Sequence, residues 1–291
     1  MDAIPVETIM DIFKYLYTPE LRAMTLVATR FRAVATNNLY HKLYFGTSRL
    51  SRLLVSIKLN PLNATITKCV QIWLESKRTP PESWKELSVL LTHTPNLERL
   101  HVFPFGYMDG VEWYPPLLPK LQIFDFKRLR MSARLAESLA ALPELKCLKM
   151  GRIERLCAVT TNPPPTSEHL KTIMNNLVEF EGARTLIMYL KDHRKLKYLS
   201  ISLYEGMEEE WRHLHQVAGA TLQFLRLRGM EMMEIIECHQ LLSRASRFSA
   251  LRHLGVVPFN IIAAPSTMVR HIASAVGAEI PIHLFIGRFR S

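Results

Sequence analysis

One short pattern constrains the chain more than anything else in it. A leucine is followed three residues later by Leu or Phe, and two residues after that by another apolar side chain. It occurs as Leu97-Leu100-Val102, Leu121-Phe124-Phe126, Leu145-Leu148-Met150, Leu196-Leu199-Ile201, Leu222-Leu225-Leu227 and Leu251-Leu254-Val256, with a weaker copy at Leu177-Phe180-Gly182. Successive copies lie 24, 24, 32, 19, 26 and 29 residues apart, counted from Leu97 through Leu121, Leu145, Leu177, Leu196, Leu222 and Leu251. The last two positions alternate, as one face of a buried strand requires. Val70-Ile72-Leu74 keeps the same alternation one step earlier, and Ile280 to Ile286 reads as a closing strand.

Between these strands lie stretches of helical character: Glu82 to His93, Ser132 to Leu142, Glu208 to Ala218 and Met230 to Ser246. Asn162-Pro163-Pro164-Pro165-Thr166, inside the longest step, reads as an inserted loop. Strand and helix alternating at this period predict a curved α/β solenoid, parallel strands on its concave face and helices on its convex face. No unit can bury its apolar face alone, so the stack is the core. The array, residues 66–291, resembles irregular leucine-rich repeats, without the asparagine that usually follows the strand.

The first 45 residues are built differently. Ile9, Ile12, Phe13 and Leu16 make one helical stripe, Leu21, Met24, Thr25 and Ala28 a second, and Phe31, Val34, Ala35, Asn38 and Leu39 a third that ends near Tyr40 to Tyr44. Pro5 suits a first helical turn, and Thr18-Pro19 reads as a hydroxyl cap followed by proline. Three short helices cannot hide this many apolar residues, which predicts a patch that another protein covers. Residues 46–65 read as a short helical connector.

The residues Ile4-Pro5-Val6-Glu7, Ile9, Ile12-Phe13, Leu16, Glu20-Leu21, Leu26-Val27, Arg30-Phe31, Val34-Ala35 and Leu39-Tyr40 resemble an F-box in order and spacing. Ile4, Thr8 and Ala28 depart mildly from that pattern. The resemblance implies docking on the Skp adaptor of a cullin–RING (SCF-type) ubiquitin ligase. Ile4, Pro5, Leu21, Val27, Phe31 and Leu39 would make the apolar contact, with Arg30 as a polar anchor. The solenoid would then present a protein substrate, as in F-box proteins that include many fungal ones. Some of the same side chains serve equally as the core of a small bundle, and for Ile9, Ile12, Phe13 and Leu16 the two readings overlap.

The net charge of +11 favours acidic partners. From Leu21 to Leu74 there is no Asp or Glu, against Arg22, Arg30, Arg32, Lys42, Arg49, Arg52, Lys58 and Lys68. Charge alone does not separate an acidic protein from nucleic acid. The chain carries no helix-turn-helix, RNA-recognition or finger signature, so nucleic acid is the less favoured partner. On the strands, the residues between the leucines would line the concave face: Gln71, Trp73, Arg99, His101, Phe103, Ile123, Asp125, Lys127, Cys147, Lys149, Tyr198, Ser200, Ser202, Phe224, Arg226, Arg228 and His253. Cations mixed with aromatics suit a protein segment, acidic or phosphorylated, anchored at Arg99, Lys127, Lys149, Arg226 and Arg228.

No catalytic, cofactor or metal motif emerges. Cys69, Cys147, Cys157 and Cys238 form no C-x-x-C and read as reduced thiols. His213 and His215, at i and i+2 on a helix, face different ways, as do the residues of Glu237-Cys238-His239. Glu208 to Glu210 fit the first turn of a helix, and Met230, Met232 and Met233 read as core filler. The N-terminus has acid where a signal peptide has base, and the apolar run Ile272 to Ile286 is broken by Glu279, Pro281 and His283. The expectation is a non-enzymatic nuclear or cytoplasmic adaptor with no cofactor and no membrane. A non-ligase F-box scaffold and a basic nucleic-acid-binding repeat protein are the alternatives.

Overall fold

In the computed structural model the described residues are 4–74, 80–104, 113–126, 131–150, 165–182, 184–190, 195–202, 208–230, 244, 247–258 and 282–284. They fall into two compact units. The first comprises residues 1–126 with 141–144, and the second 127–140 with 145–291. The helical N-terminus falls in the same compact unit as the first strands.

The first unit opens with α1 (Val6–Phe13), α2 (Thr18–Val27) and α3 (Thr29–His41). Their stripes meet in a core of Ile9, Phe13, Leu21, Val34 and Ala35, with Leu16, Met24, Phe31 and Leu39 packed against it. The Phe13 and Phe31 rings lie 5.8 Å apart. Ile12 departs from the expected stripe and faces outward. The cap of α2 also differs. Thr18 and Pro19 occupy the first turn, and the Tyr17 backbone N–H donates to the Glu20 carboxylate at 2.6 Å. Glutamate three residues past the cap can reach back to that exposed N–H, so the hydroxyl is not needed.

The segment expected to finish the third helix turns instead into a strand, β1 (Lys42–Gly46). Leu43 and Phe45 point inward while Lys42 and Tyr44 point outward, the alternation of a half-buried strand. After it come α4 (Leu50–Leu59), α5 (Pro61–Ile66), β2 (Cys69–Leu74), α6 (Pro81–Thr92), β3 (Arg99–Pro104) and β4 (Ile123–Phe126). The connector is thus two packed helices, α4 and α5. The Tyr40 hydroxyl bonds Ser56 at 2.7 Å, and the Lys68 N–H donates to the His41 carbonyl at 3.0 Å. The two bonds tie α3 to α4 and to the entrance of β2.

The second unit contains α7 (Ala133–Ala140), β5 (Cys147–Met150), α8 (Ser167–Asn176), β6 (Glu179–Gly182), a 3-10 turn at Arg184–Tyr189, β7 (Tyr198–Ser202), α9 (Glu208–Ala218), β8 (Phe224–Met230), β9 (His253–Pro258) and β10 (Ile282–Leu284). Helix α8 was not expected. Thr166 of the supposed loop caps it through the His169 N–H, and Leu170, Ile173 and Met174 are its buried stripe. The expected helix Met230 to Ser246 differs at its start, since Met230 belongs to β8. The rest of that segment lies outside the described residues apart from Arg244.

Within each unit every strand pairs in parallel with its sequence neighbour, β1 to β4 in the first and β5 to β10 in the second. One hydrogen-bond device recurs at the strand entrances. The carbonyl just before a strand accepts two successive N–H groups from the start of the next. Lys68 O takes those of Glu98 and Arg99, Glu98 O those of Gln122 and Ile123, and Lys146 O those of Val178 and Glu179. Val178 O, Lys197 O and Gln223 O do the same for β7, β8 and β9, all six pairs within 2.7–3.2 Å. The repeated leucine that opens each copy lies two residues before its strand. At Leu97, Leu121, Leu177 and Leu251 its N–H closes a turn on the carbonyl three residues back. The opening leucines and the inward strand residues from Leu100 through Leu254 are buried, most with no exposure at all. The weak copy has a steric reason. A Cβ on Gly182 would lie 2.6 Å from the Phe180 ring, which fills the space where other copies place an apolar third residue.

Candidate functional site

Two surfaces of the first unit stand out by what they leave exposed. On the helical module, burial of Ile9, Phe13 and Leu21 leaves a second apolar set outside: Ile4, Val6, Met10, Ile12, Leu26 and Val27, each at least 40% exposed. A bundle this small cannot turn both sets inward, and an uncovered set of this size marks a protein-contact surface. Of the residues expected to touch an adaptor, Ile4, Pro5 and Val27 are exposed, and Phe31 and Leu39 are half-buried. Leu21 is a correction: it is 7% exposed and belongs to the bundle core, because its stripe faces α1 and α3. Arg30 lies on α3, and its side chain is outside the described residues. Val6, Met10 and Leu26 are also exposed and lie outside the set expected to touch an adaptor. Lys14, paired with Asp11 at 2.7 Å, has its pKa raised by that bond.

The second surface is the outward face of β1 to β4. Registers place Lys42, Cys69, Arg99 and Ile123 in one row, Tyr44, Gln71, His101 and Asp125 in the next, and Gly46, Trp73 and Phe103 in a third. Lys42, Tyr44, Trp73 and Arg99 are exposed, and Gln71, His101, Phe103 and Ile123 half-buried. Trp73 stacks on Phe103 with centroids 4.4 Å apart, and His101 lies parallel to Phe103 at 6.2 Å. Asp125 is a correction: it is 6% exposed, because its carboxylate turns to the His101 Nδ1 at 3.3 Å. Cys69, 5% exposed between exposed Lys42 and Arg99 in its row, is a free thiol bonded to the same imidazole.

These bonds hold His101 as a cation. Asp125, then the Cys69 sulfur, raise its pKa to about 9 against the opposing effect of burial. A histidine whose folded pKa is raised stabilises the fold below its unfolded pKa. The pair's contribution is complete below about pH 6.5, where the unfolded imidazole is also protonated, and is lost as pH rises through about 9. We expect the His101 ring resonances to titrate near 9, and Asp125→Asn to move that midpoint at least one unit down and flatten stability between pH 6.5 and 9. Histidine NMR and urea unfolding at several pH values check both. Beside this face Lys68 bonds Glu98 and lowers the pKa of that carboxyl, and burial followed by Lys42 lowers that of His41.

A cysteine, a histidine and an aspartate in line is the order of nucleophile, base and orienting group. Here the thiol is buried, and the geometry ties three adjacent strands together through their side chains.

The corresponding face of the second unit is less cationic than expected. The registers align Cys147, Glu179, Tyr198, Phe224 and His253 in one row and Lys149, Glu181, Ser200, Arg226 and Gly255 in the next. Lys149 lies 3.7 Å from Glu179, and the Cys147 thiol donates to the same carboxylate at 3.4 Å. Cys147 and Ser200 are corrections, being buried where lining residues were expected, since long neighbours in their rows cover these short side chains. Glu179 and Glu181 come from the weak copy and were overlooked. Tyr198 stacks on Phe224 at 4.8 Å, and Phe224 meets His253 at 5.4 Å. Arg226 lays its stem over Gly255. Arg228 is placed by its backbone opposite Val257, and Ser202 opposite Arg228; their side chains are outside the described residues, as is all of Lys127.

Among the described residues there is no cluster of metal-binding side chains and no helix long and apolar enough to cross a membrane. His213 and His215 each bond a different backbone carbonyl, those of Leu190 at 2.7 Å and Arg244 at 2.9 Å. Cys157, Met232, Met233, Glu237, Cys238 and His239 lie outside the described residues.

Residues 1–46, which carry the uncovered apolar set, match the F-box-like family. No curated protein matches the chain. Among solved structures, a Bacteroides fragilis protein known from its crystal structure is similar over 86% of this chain and 74% of that one, with a TM-score of 0.44 and 12% identity.

Proposed function

We propose that this chain is a substrate-recognition subunit of an SCF-type cullin–RING ubiquitin ligase. Its F-box-like helices dock on the Skp adaptor, and its outward strand faces hold a protein substrate. The observation that carries the reading is the uncovered apolar set Ile4, Val6, Met10, Ile12, Leu26 and Val27 on a domain that matches the F-box-like family. The body behind it acts as an irregular leucine-rich-repeat-like solenoid of the kind found in F-box proteins, including fungal ones. It performs no chemistry of its own and works by orientation and effective concentration. The direct passage from α3 into β1 supports this role. A substrate on the first unit's strands would sit in the same compact unit as the docking module, close to the ligase core.

The test is reconstitution. The full chain expressed with a Skp adaptor is expected to elute with it as a stoichiometric complex that recruits cullin and RING subunits. Proteins captured from cells by the intact complex should gain ubiquitin when transfer enzymes are added. A chain that elutes without the adaptor overturns the docking assignment. Captured proteins that never gain ubiquitin overturn the delivery role and leave a scaffold.

A further inference from the structure

We propose that the strand face of the first unit is a docking site for an acidic, extended protein segment bearing one aromatic side chain. This rests on the substrate reading above and names the substrate class. The three rows give the site its polarity. At one end Lys42 and Arg99 are exposed and form no ion pair among the described residues. The nearby acids are already engaged, Glu98 by Lys68 and Asp125 by His101. From Leu21 to Leu74 the sequence supplies no other carboxylate. Positive charge at this end is therefore left for a ligand to neutralise.

At the other end stands Trp73, 54% exposed. Phe103 covers one side of its indole at 4.4 Å. The strand on its other side presents Gly46, directly in register with Trp73. Glycine puts no side chain against that flank of the indole, which leaves room for a slot beside Trp73, with exposed Tyr44 two residues back along the strand. A flat ring fits that slot by stacking. Arg99 and Phe103 are four residues apart on one strand, about 13 Å at roughly 3.3 Å per residue. An extended ligand spans that distance with about four residues between its acidic end and its aromatic anchor.

The chemistry selects among anionic partners. Phosphate recognition uses clusters of arginine, and this face offers one unpaired guanidinium, Arg99. Single-stranded nucleic acid wants successive open ring faces along a continuous cationic groove. Here Trp73 and Phe103 close on each other, and the cations without an acidic partner among the described residues, Lys42 and Arg99, sit at one end. Carboxylates near a single aromatic residue match what is present.

The test uses the full chain in complex with its adaptor and the fluorescein-labelled peptide Glu-Glu-Glu-Gly-Ser-Gly-Trp. Fluorescence anisotropy is expected to show binding that weakens with salt. The Lys-Lys-Lys-Gly-Ser-Gly-Trp counterpart should bind at least about tenfold more weakly. Arg99→Glu, Trp73→Ala and Gly46→Val should each cost about tenfold or more. Gly46 has an ordinary extended backbone, φ −89°, so valine needs no unusual conformation there, and thermal melts of the variant confirm that it folds. No binding of the acidic peptide, or equal binding by all three variants, overturns the proposal. So does tighter binding of a phosphoserine version or of a twelve-nucleotide oligothymidine by tenfold. Adaptor capture, read on the same samples, is expected to be unchanged in the three variants. A failure of the substrate site is thereby separated from a failure of docking.

Discussion

Replacing Ile4 and Val27 together by serine is expected to weaken capture of the Skp adaptor by roughly 100-fold, while the melting temperature moves by no more than about 2 °C. Both side chains are more than half exposed, so their loss removes contact area without opening a hole in the bundle. An interface of short helices draws its affinity from a few desolvated apolar anchors, and two lost anchors account for the size of the effect. Leu21→Ala behaves in the opposite way. Leu21 is inside the core with Ile9, Phe13 and Val34, so truncation leaves a cavity and costs about 2–5 kcal/mol of stability. Any loss of capture in Leu21→Ala comes from unfolding, and its melting curve shows it. A pulldown with purified adaptor beside thermal melts separates the two. Full capture by the serine pair would remove Ile4 and Val27 from the interface, and with them the docking surface assigned to the helices.

The contrast between Leu21 and Val27 also shows what sequence carries and what it withholds. Periodicity tells which residues share a stripe. It does not tell which of two apolar stripes on a short helix wins the core, because that depends on how three helices cross. The strands were easier. With period two, a buried leucine fixes the direction of its neighbours, so Leu100, Phe124, Leu148, Leu199, Leu225 and Leu254 point inward as expected. The rows on the open face were harder. Asp125 is buried only because His101, 24 residues earlier, stands beside it in register, and no local pattern announces that pair. Strand β1 was obscured because Tyr40 to Tyr44 continues an apolar run begun in a helix. Its Leu43 and Phe45 are only two inward residues, too few to override that reading. Helix α8 was hidden behind Pro163 to Pro165, although Thr166 caps it and Leu170, Ile173 and Met174 keep helical spacing. In the weaker copy Leu177-Phe180-Gly182, Glu179 is half-buried on the open face and Glu181 is buried, and neither belongs to the expected lining set. Glu179, half-exposed beside Lys149, gives the second unit's face a carboxylate open to solvent, where the first unit's Asp125 is buried.

That glycine underlies a large expected stability effect. Phe180 is fully buried, and its ring occupies the volume a third-position side chain would take, 2.6 Å from a Cβ on Gly182. Phe180→Ala empties that volume and is expected to cost about 3–5 kcal/mol. Gly182→Val drives two methyl groups into the ring and is expected to cost about 1–3 kcal/mol or more. If Leu177-Phe180-Gly182 is one more copy of the repeated pattern with its volume redistributed, joining the Gly182→Val change to Phe180→Leu restores the common form, leucine followed by an apolar third residue. The double variant should then recover most of the loss of Gly182→Val, with a coupling of about 1–3 kcal/mol in a double-mutant cycle. Urea unfolding of the four proteins measures it. Additive losses would mean that this strand does not share the geometry of its neighbours, and that its pairing with β5 and β7 comes from backbone bonds alone. Recovery would show that the repeat is a volume rule, met at one position by leucine and valine and at another by a single phenylalanine over a glycine.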